Sequence, residues 1–539
     1  MATSARVRGS GGLARVVQPL RRARDIVFFP ARAVLPLYHP QRSGLVTLGR
    51  RFIGLAVIVF VSMVYGLLSA ILPPSMLLGA AAPLAILALF VIWALPEADK
   101  APTKLLLRCY VLFMILAIVW PNYLSLSVAG LPWISFRRLF GVLTTLLLLV
   151  CYSISPKFRR DMAVTLSASP WLARFMLGFL IIQIIASLIS SQPSVSIGRL
   201  VNISLTVTPF FFATLWCLGS NTRTPEWWVR NMLGCVSVLM VIGFFEFRAE
   251  HVLWVGHIPS WLQINDPSVI LHLTSQVRGT YRVMNVFGNP LVWGELVAMT
   301  IPFAIHLMVN SRSVSALALT ILFDLAMVLS AYWSGARLSM VGMVVAHATY
   351  LLLWGLRRWI KERGGLVGIS TTMMYPAFAV VLAVMIMVVP AVHNRVLGGG
   401  ATQASNDGRH EQIRMGLPKL AMRPVFGYGP FQSAEVVGWR SQSGFLSIDS
   451  GFLSTAVDYG VLGFIAFYGT MVLGAGLLIR AGLTDPSQGY PLHLAVATTM
   501  VVLLNTRLVL SQTDNDQVFF MLVGLTFALL YRSKQARGA

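Results

Sequence analysis

Apolar stretches of about 20 residues recur along this chain and constrain it more than any other feature. A stretch of that length crosses a ~30 Å hydrocarbon core as a helix, the one local structure that satisfies all its own backbone polar groups there. Fourteen are readable, near 52–72, 76–95, 105–126, 137–153, 171–190, 197–218, 229–247, 289–309, 314–333, 338–356, 371–392, 452–478, 491–511 and 515–531. The composition agrees, with 56% of the 539 residues hydrophobic and 11% charged, where soluble chains carry about a quarter charged. Soluble enzymes, secreted disulfide scaffolds and disordered proteins are thereby excluded. The four cysteines, Cys109, Cys151, Cys217 and Cys235, all fall inside apolar stretches, so neither a disulfide framework nor a thiolate zinc site is expected.

The excess of basic residues, a net charge of +23, has to be read by side of the membrane rather than as an affinity for nucleic acid. Residues 1–50 are rich in arginine, contain one acid (Asp25) and lack the apolar core of a signal peptide. They also fit a mitochondrial transit peptide, or a basic amphipathic helix over Leu13–Phe29 lying on an anionic surface. The positive-inside rule puts this segment in the cytoplasm, and fourteen crossings return the C-terminus to the same side. The predicted architecture is an all-α polytopic membrane protein of about 14 transmembrane helices with both termini cytoplasmic. Residues 51–392 hold spans 1–11 with an outer loop near 249–288, residues 393–451 form a large, partly helical outer loop between spans 11 and 12, and 452–539 hold spans 12–14 and a short tail. Loops this long in an otherwise economical chain are usually functional. No internal repeat relates the halves, which weighs against a transporter of duplicated bundles.

Arginine dominates the basic residues expected on the outer side. Its planar guanidinium grips phosphate bidentately, where lysine acts as a point charge, so the set points to an anion site. Arginine is also preferred on the cytoplasmic side, and Arg137, Arg138, Arg199 and Arg507 lie near span ends where they could snorkel to the interface. Arg278 and Arg282 are four apart and precede the Phe287-Gly288-Asn289-Pro290 turn. In the larger loop, Gly398–Gly400 is followed by a helix-like stretch from Gly408-Arg409-His410 to Arg423, then by Pro424-Val425-Phe426-Gly427-Tyr428-Gly429-Pro430, whose glycines permit close backbone approach. On a helix Arg414 stacks on His410, with Arg409 about 100° away.

Asp449, just before the twelfth span, reads either as a general base for a hydroxyl or as a helix cap or arginine partner. Asp514-Asn515-Asp516 resembles the DxD of metal-dependent transferases but sits in a short outer hairpin, where a solvated turn is the expectation. Glu295 and Asp324 lie inside spans and need partners the sequence does not name. His272, His393 and His410 lack metal-ligand spacing, and no metal or other cofactor is expected.

Several of these segments together resemble the O-antigen ligase and polysaccharide polymerase family of bacterial inner membranes. The resemblance is carried by Arg278-Gly279-Thr280 with Gly288-Asn289-Pro290, by Ser334-Gly335-Ala336-Arg337-Leu338-Ser339, by Gly408-Arg409 with Pro424–Pro430, and by Asp449-Ser450-Gly451-Phe452-Leu453 with Tyr459-Gly460-Val461-Leu462-Gly463. It implies an inverting, metal-independent glycosyltransferase that takes a glycan from undecaprenyl diphosphate at the periplasmic face and attaches it to a sugar hydroxyl. Arg278, Arg282, Arg337, Arg409 and Arg414 would bind the diphosphate. The base would be Asp449, with His410 second, because many members carry histidine where this chain reads Ile448-Asp449-Ser450. That departure favours an exopolysaccharide or O-antigen polymerase over a ligase acting on a lipid A core. The partners implied are the lipid-linked glycan, the bilayer, and a chain-length regulator and flippase of the same pathway. The competing class is a flippase or exporter of lipid-linked oligosaccharide, which has little need of large outer loops.

Overall fold

The structure, a computed structural model, describes residues 100–126, 134–264, 266–274, 281–362, 365–390, 403–441, 444–486 and 489–538 (Asn221 apart), with scattered positions between Phe52 and Ala98. The basic leader, most of the first two apolar segments, Arg278, His393, Arg395 and Gly398–Gly400 lie outside the described residues.

The described chain is mostly helical. The helices are α1 (Thr103–Val119), α2 (Phe136–Ile154), α3 (Pro156–Ser167), α4 (Pro170–Leu188), α5 (Pro193–Thr206), α6 (Thr208–Gly219), α7 (Pro225–Ala249), α8 (Pro267–Thr274), α9 (Pro290–Val309), α10 (Val314–Trp333), α11 (Arg337–Lys361), α12 (Leu366–Val388), α13 (Gln403–Met422), α14 (Ser433–Val437), α15 (Gly451–Leu483), α16 (Leu492–Arg507) and α17 (Asp516–Gly538). From 105–126 onward each apolar segment coincides with helix, except that 105–126 runs on beyond the end of α1 and 197–218 is divided between α5 and α6. Among the described residues eight helices are long and apolar enough to cross a membrane, with α5 and α6 counted together. Proline opens many of them, at the first turn where its missing N–H costs nothing.

One short antiparallel ribbon departs from the all-helical expectation. Strand β1 (Leu124–Leu126) pairs with β2 (Leu262–Ile264), Leu124 facing Ile264 and Leu126 facing Leu262. Tyr123, Leu124 and Leu262 bury beneath it against Trp120 and Trp254. Three-residue strands are too brief for alternation to announce them.

The chain divides into two compact units. The first comprises Met1–Lys104, Ala129–Pro132 and Leu146–Val164; within it Arg159 pairs with Glu97 at 2.5 Å. The second, Leu105–Val128, Trp133–Thr145 and Thr165–Ala539, holds every residue discussed below. Its best-buried helices are α6, α9, α16 and α17, with Trp228, Trp293, Phe210, Phe211, Phe303 and Phe519 filling the interior. Helix α10, by contrast, leaves most of its apolar side chains uncovered, as a lipid-facing helix does.

Candidate active site

Helix α15 is broken nine residues after it starts. Gly460 takes φ +68° and ψ −174° in its middle, so the N–H and C=O groups around it lose their helical partners. The segment Pro424–Pro430 supplies replacements. Val461 N donates to Pro424 O at 2.7 Å, Tyr428 N to Val457 O at 3.0 Å and Gly429 N to Asp458 O at 2.8 Å. A Cβ on Gly460 would meet Val425 O at 2.3 Å, so only glycine permits this docking. The two glycine-rich motifs of the sequence are thus the two halves of one joint.

Asp458, at the joint, is 3% exposed. Its Oδ1 accepts from Ser433 N at 2.7 Å, satisfying a free N–H at the start of α14. Arg199 on α5 donates to the Phe431 carbonyl at 2.5 Å and to Glu435 at 2.9 Å, and Arg423 donates to Ile189 O at 3.2 Å. These two arginines hold the loop in place.

On α13, Arg409 and Gln412 are three residues apart and share a face. Gln412 is buried and its Oε1 accepts from Asp449 N at 2.8 Å, while Arg409 Nε stands 3.8 Å from Asp449 Oδ2. Ile448, buried with Val437, Leu453 and Val457, anchors the residue before Asp449, and Ser511 Oγ donates to the Ile448 carbonyl. Arg414 is five residues from Arg409 and so about 140° around the helix. It pairs instead with Glu411 at 2.6 Å, its side chain 76% exposed, and its hydrogen bond holds the Glu411 carboxyl below its ordinary range. His410 is exposed.

Arg282 is placed by a different device. Glu246 on α7, wholly buried, accepts from Tyr281 Oη, Met284 N and Asn285 N, each at 2.8 Å. Asn285 has φ +57°, a left-handed conformation that asparagine tolerates. Arg282 Nε then donates to Ser334 O at 3.0 Å and its stem lies along Gly335, in the turn that precedes Arg337 at the start of α11.

A polar cavity of about 90 Å³ lies among α2, α4, α5, α15 and the α16–α17 connection. Its walls include Arg137, Gln183, Asn202, Ser454, Thr455, Asp458, Arg507, Asp514, Asp516 and Gln517, with Phe179, Tyr459, Phe467 and Phe520 as apolar faces. Arg507 is 4% exposed: it donates to Asp516 Oδ1 at 2.7 Å and Gln512 O at 2.8 Å, and its Nε is 3.5 Å from Glu295 Oε1. Glu295, wholly buried, also accepts from Thr506 at 2.8 Å and Asn515 at 2.9 Å. In the orientation that satisfies both ends of its amide, Gln517 accepts from Arg137 at 2.7 Å and donates to the Asp514 carbonyl. Burial pushes the Asp514 carboxyl above its ordinary pKa, against the opposing pull of Arg137.

The Asp514-Asn515-Asp516 segment is therefore no solvated turn, since Asn515 is 2% exposed and Asp516 faces Arg507. Arg507 does not snorkel outward but points inward. Reasoning from sequence missed Glu246, Asp458 and this inward Arg507, and singled out Glu295 without its partners. The available signal was an ionisable residue within or at the end of an apolar span.

These helices and this concentration of buried charge define a multi-pass helical membrane protein with a polar site at one end. Residues 322–468 match the family described as O-antigen ligase, from within α10 to the middle of α15. The matched segment contains Arg337, Arg409, Asp449 and the Gly460 joint. The match supports assigning the chain to the O-antigen ligase/polymerase family, which is glycosyltransferase-like and acts on lipid-linked glycans. No curated protein matches the chain.

Proposed function

We propose that the protein is a polysaccharide polymerase of the bacterial inner membrane, transferring a glycan from undecaprenyl diphosphate to a sugar hydroxyl at the periplasmic face with inversion and without a metal. The observation that supports this reading is Arg409 Nε at 3.8 Å from Asp449 Oδ2, in a loop whose backbone is pinned by Gln412, Ser511 and the α15 joint. Asp449 takes the proton of the acceptor hydroxyl, whose oxygen attacks the anomeric carbon as the bond to the carrier diphosphate breaks. The departing diphosphate gains charge, and guanidinium groups from Arg409, Arg282 and Arg337 stabilise it more in the transition state than in the ground state. Arg278 belongs to the same proposal on sequence grounds. Arg414 and His410 fall to a lesser place, because one is paired with Glu411 and the other lies on the exposed face of α13.

Mass spectrometry of carrier-linked glycans in cells lacking the protein tests this. Carrier bearing single repeats, with long polymer absent, is the expected result. Long carrier-linked polymer beside an unmodified lipid A core would make the protein a ligase, and repeats trapped on the cytoplasmic side would make it a flippase.

A further inference from the structure

The cavity beside Arg507 has no part in the transfer chemistry just described. Its volume of about 90 Å³ is room for a few waters, or for one edge of a sugar ring entering from the open side. Its two arginines stand among four carboxyls: Arg507 faces Asp516 and Glu295, Arg137 lies beside Asp514 through Gln517, and Asp458 is engaged at α14. No surplus of positive charge is left to hold a diphosphate. Yet among the described residues the Nε of Arg137 is buried without a hydrogen-bond partner, and that of Arg507 has only its 3.5 Å ion pair with Glu295, an arrangement costly unless something else accepts from them. Phe179 and Phe467 supply apolar walls opposite the polar ones. Phe431 closes the rim at φ +55°, a conformation that bulky residues avoid and that marks sites where the surroundings impose it. Gly451, two residues after Asp449, also lines the space.

We propose that this cavity binds one neutral, hydroxyl-rich sugar ring, whose hydroxyls accept from the two arginines and donate to Asp514 and Asp516. The sugar is that of a lipid-linked glycan, as donor or as acceptor, and to that extent the proposal rests on the transferase reading.

The test uses the full chain in lipid nanodiscs. Saturation-transfer NMR with methyl glycosides of neutral hexoses should give a signal that Thr455→Trp, which fills the cavity, abolishes and that inorganic pyrophosphate leaves intact. Displacement by pyrophosphate, or no signal from the parent chain, overturns the proposal in favour of an anion site or a cluster of waters. With the native lipid-linked repeat, Asn202→Leu should raise KM about tenfold with kcat nearly unchanged, and Asn202→Gln should restore it. A KM change confined to the acceptor or to the donor assigns the ring to that substrate. An unchanged KM in a folded Asn202→Leu chain that makes polymer sinks the cavity alone. A hexoside signal in a parent chain that transfers glycan to no acceptor sinks the transferase reading and leaves the cavity standing.

Discussion

Arg409, Asp449 and Arg414 separate at the residue scale by what each already touches. The Asp449 side chain is 37% exposed and Arg409 31%, open enough to meet a substrate yet fixed by buried neighbours. Asp449→Asn should keep the fold and lower turnover about 10²- to 10⁴-fold, the usual worth of a general base. Arg409→Ala removes charge-assisted hydrogen bonds of about 1.5–3 kcal/mol each and should cost roughly 10- to 150-fold per bond lost. Arg414→Ala breaks only an exposed pair and should leave turnover within about twofold. Wild-type turnover in a folded Asp449→Asn chain would remove the base assignment. Asp514 gives a pH prediction. Its folded pKa lies above the ordinary carboxylate value, so the folded state binds its proton more tightly and loses stability as pH rises between those two values. Asp514→Asn lacks that loss, and its thermal stability relative to the parent should climb across the same interval and level off above it. A difference flat from pH 3 to 8 would contradict the assignment.

At the scale of elements, the joint between α15 and Pro424–Pro430 is what holds the large loop against the helices. Gly460→Ala should destabilise the protein by about 1–3 kcal/mol or more, from left-handed strain alone, and the 2.3 Å contact with Val425 O adds to it. Gly476→Ala, farther along the same helix with open space around it, should be neutral or stabilise by roughly 0.5–1 kcal/mol. Heat-induced unfolding in nanodiscs compares the two, and equal effects would mean the joint is not structural. The sequence displayed both motifs and a helix-like stretch from Gly408 to Arg423, because helices and glycine-rich turns are local. That the motifs dock on each other was not legible, because local patterns do not say what a turn packs against, nor was the meeting of Glu295 with Arg507 and Asn515, which joins residues more than 200 positions apart. The sequence already placed Arg414 and Arg409 on different faces of a helix, and the structure adds that Arg414 is paired with Glu411.

For the molecule as a whole, helix directions alternate so that Gly451, Arg507 and Asp514 share one end with the Arg282 turn and Arg337. The buried Arg357, which donates to the carbonyls of Gly482, Asp485 and Gly489, and Lys534 belong to the other end. The positive-inside rule predicts that the second end is cytoplasmic and the first periplasmic. That assignment matters chemically, because a donor carrying its energy in a lipid-diphosphate bond needs no nucleotide on the side where it reacts. Single cysteines in a cysteine-free chain measure it directly. Arg440→Cys, on the exposed part of the large loop, should react with a membrane-impermeant maleimide in intact cells whose outer membrane admits the reagent. Lys534→Cys, exposed near the end of α17, should react only after the inner membrane is opened. If the two sites exchange behaviour, the arginine-lined face is cytoplasmic, and the carrier diphosphate must be bound before translocation rather than after it.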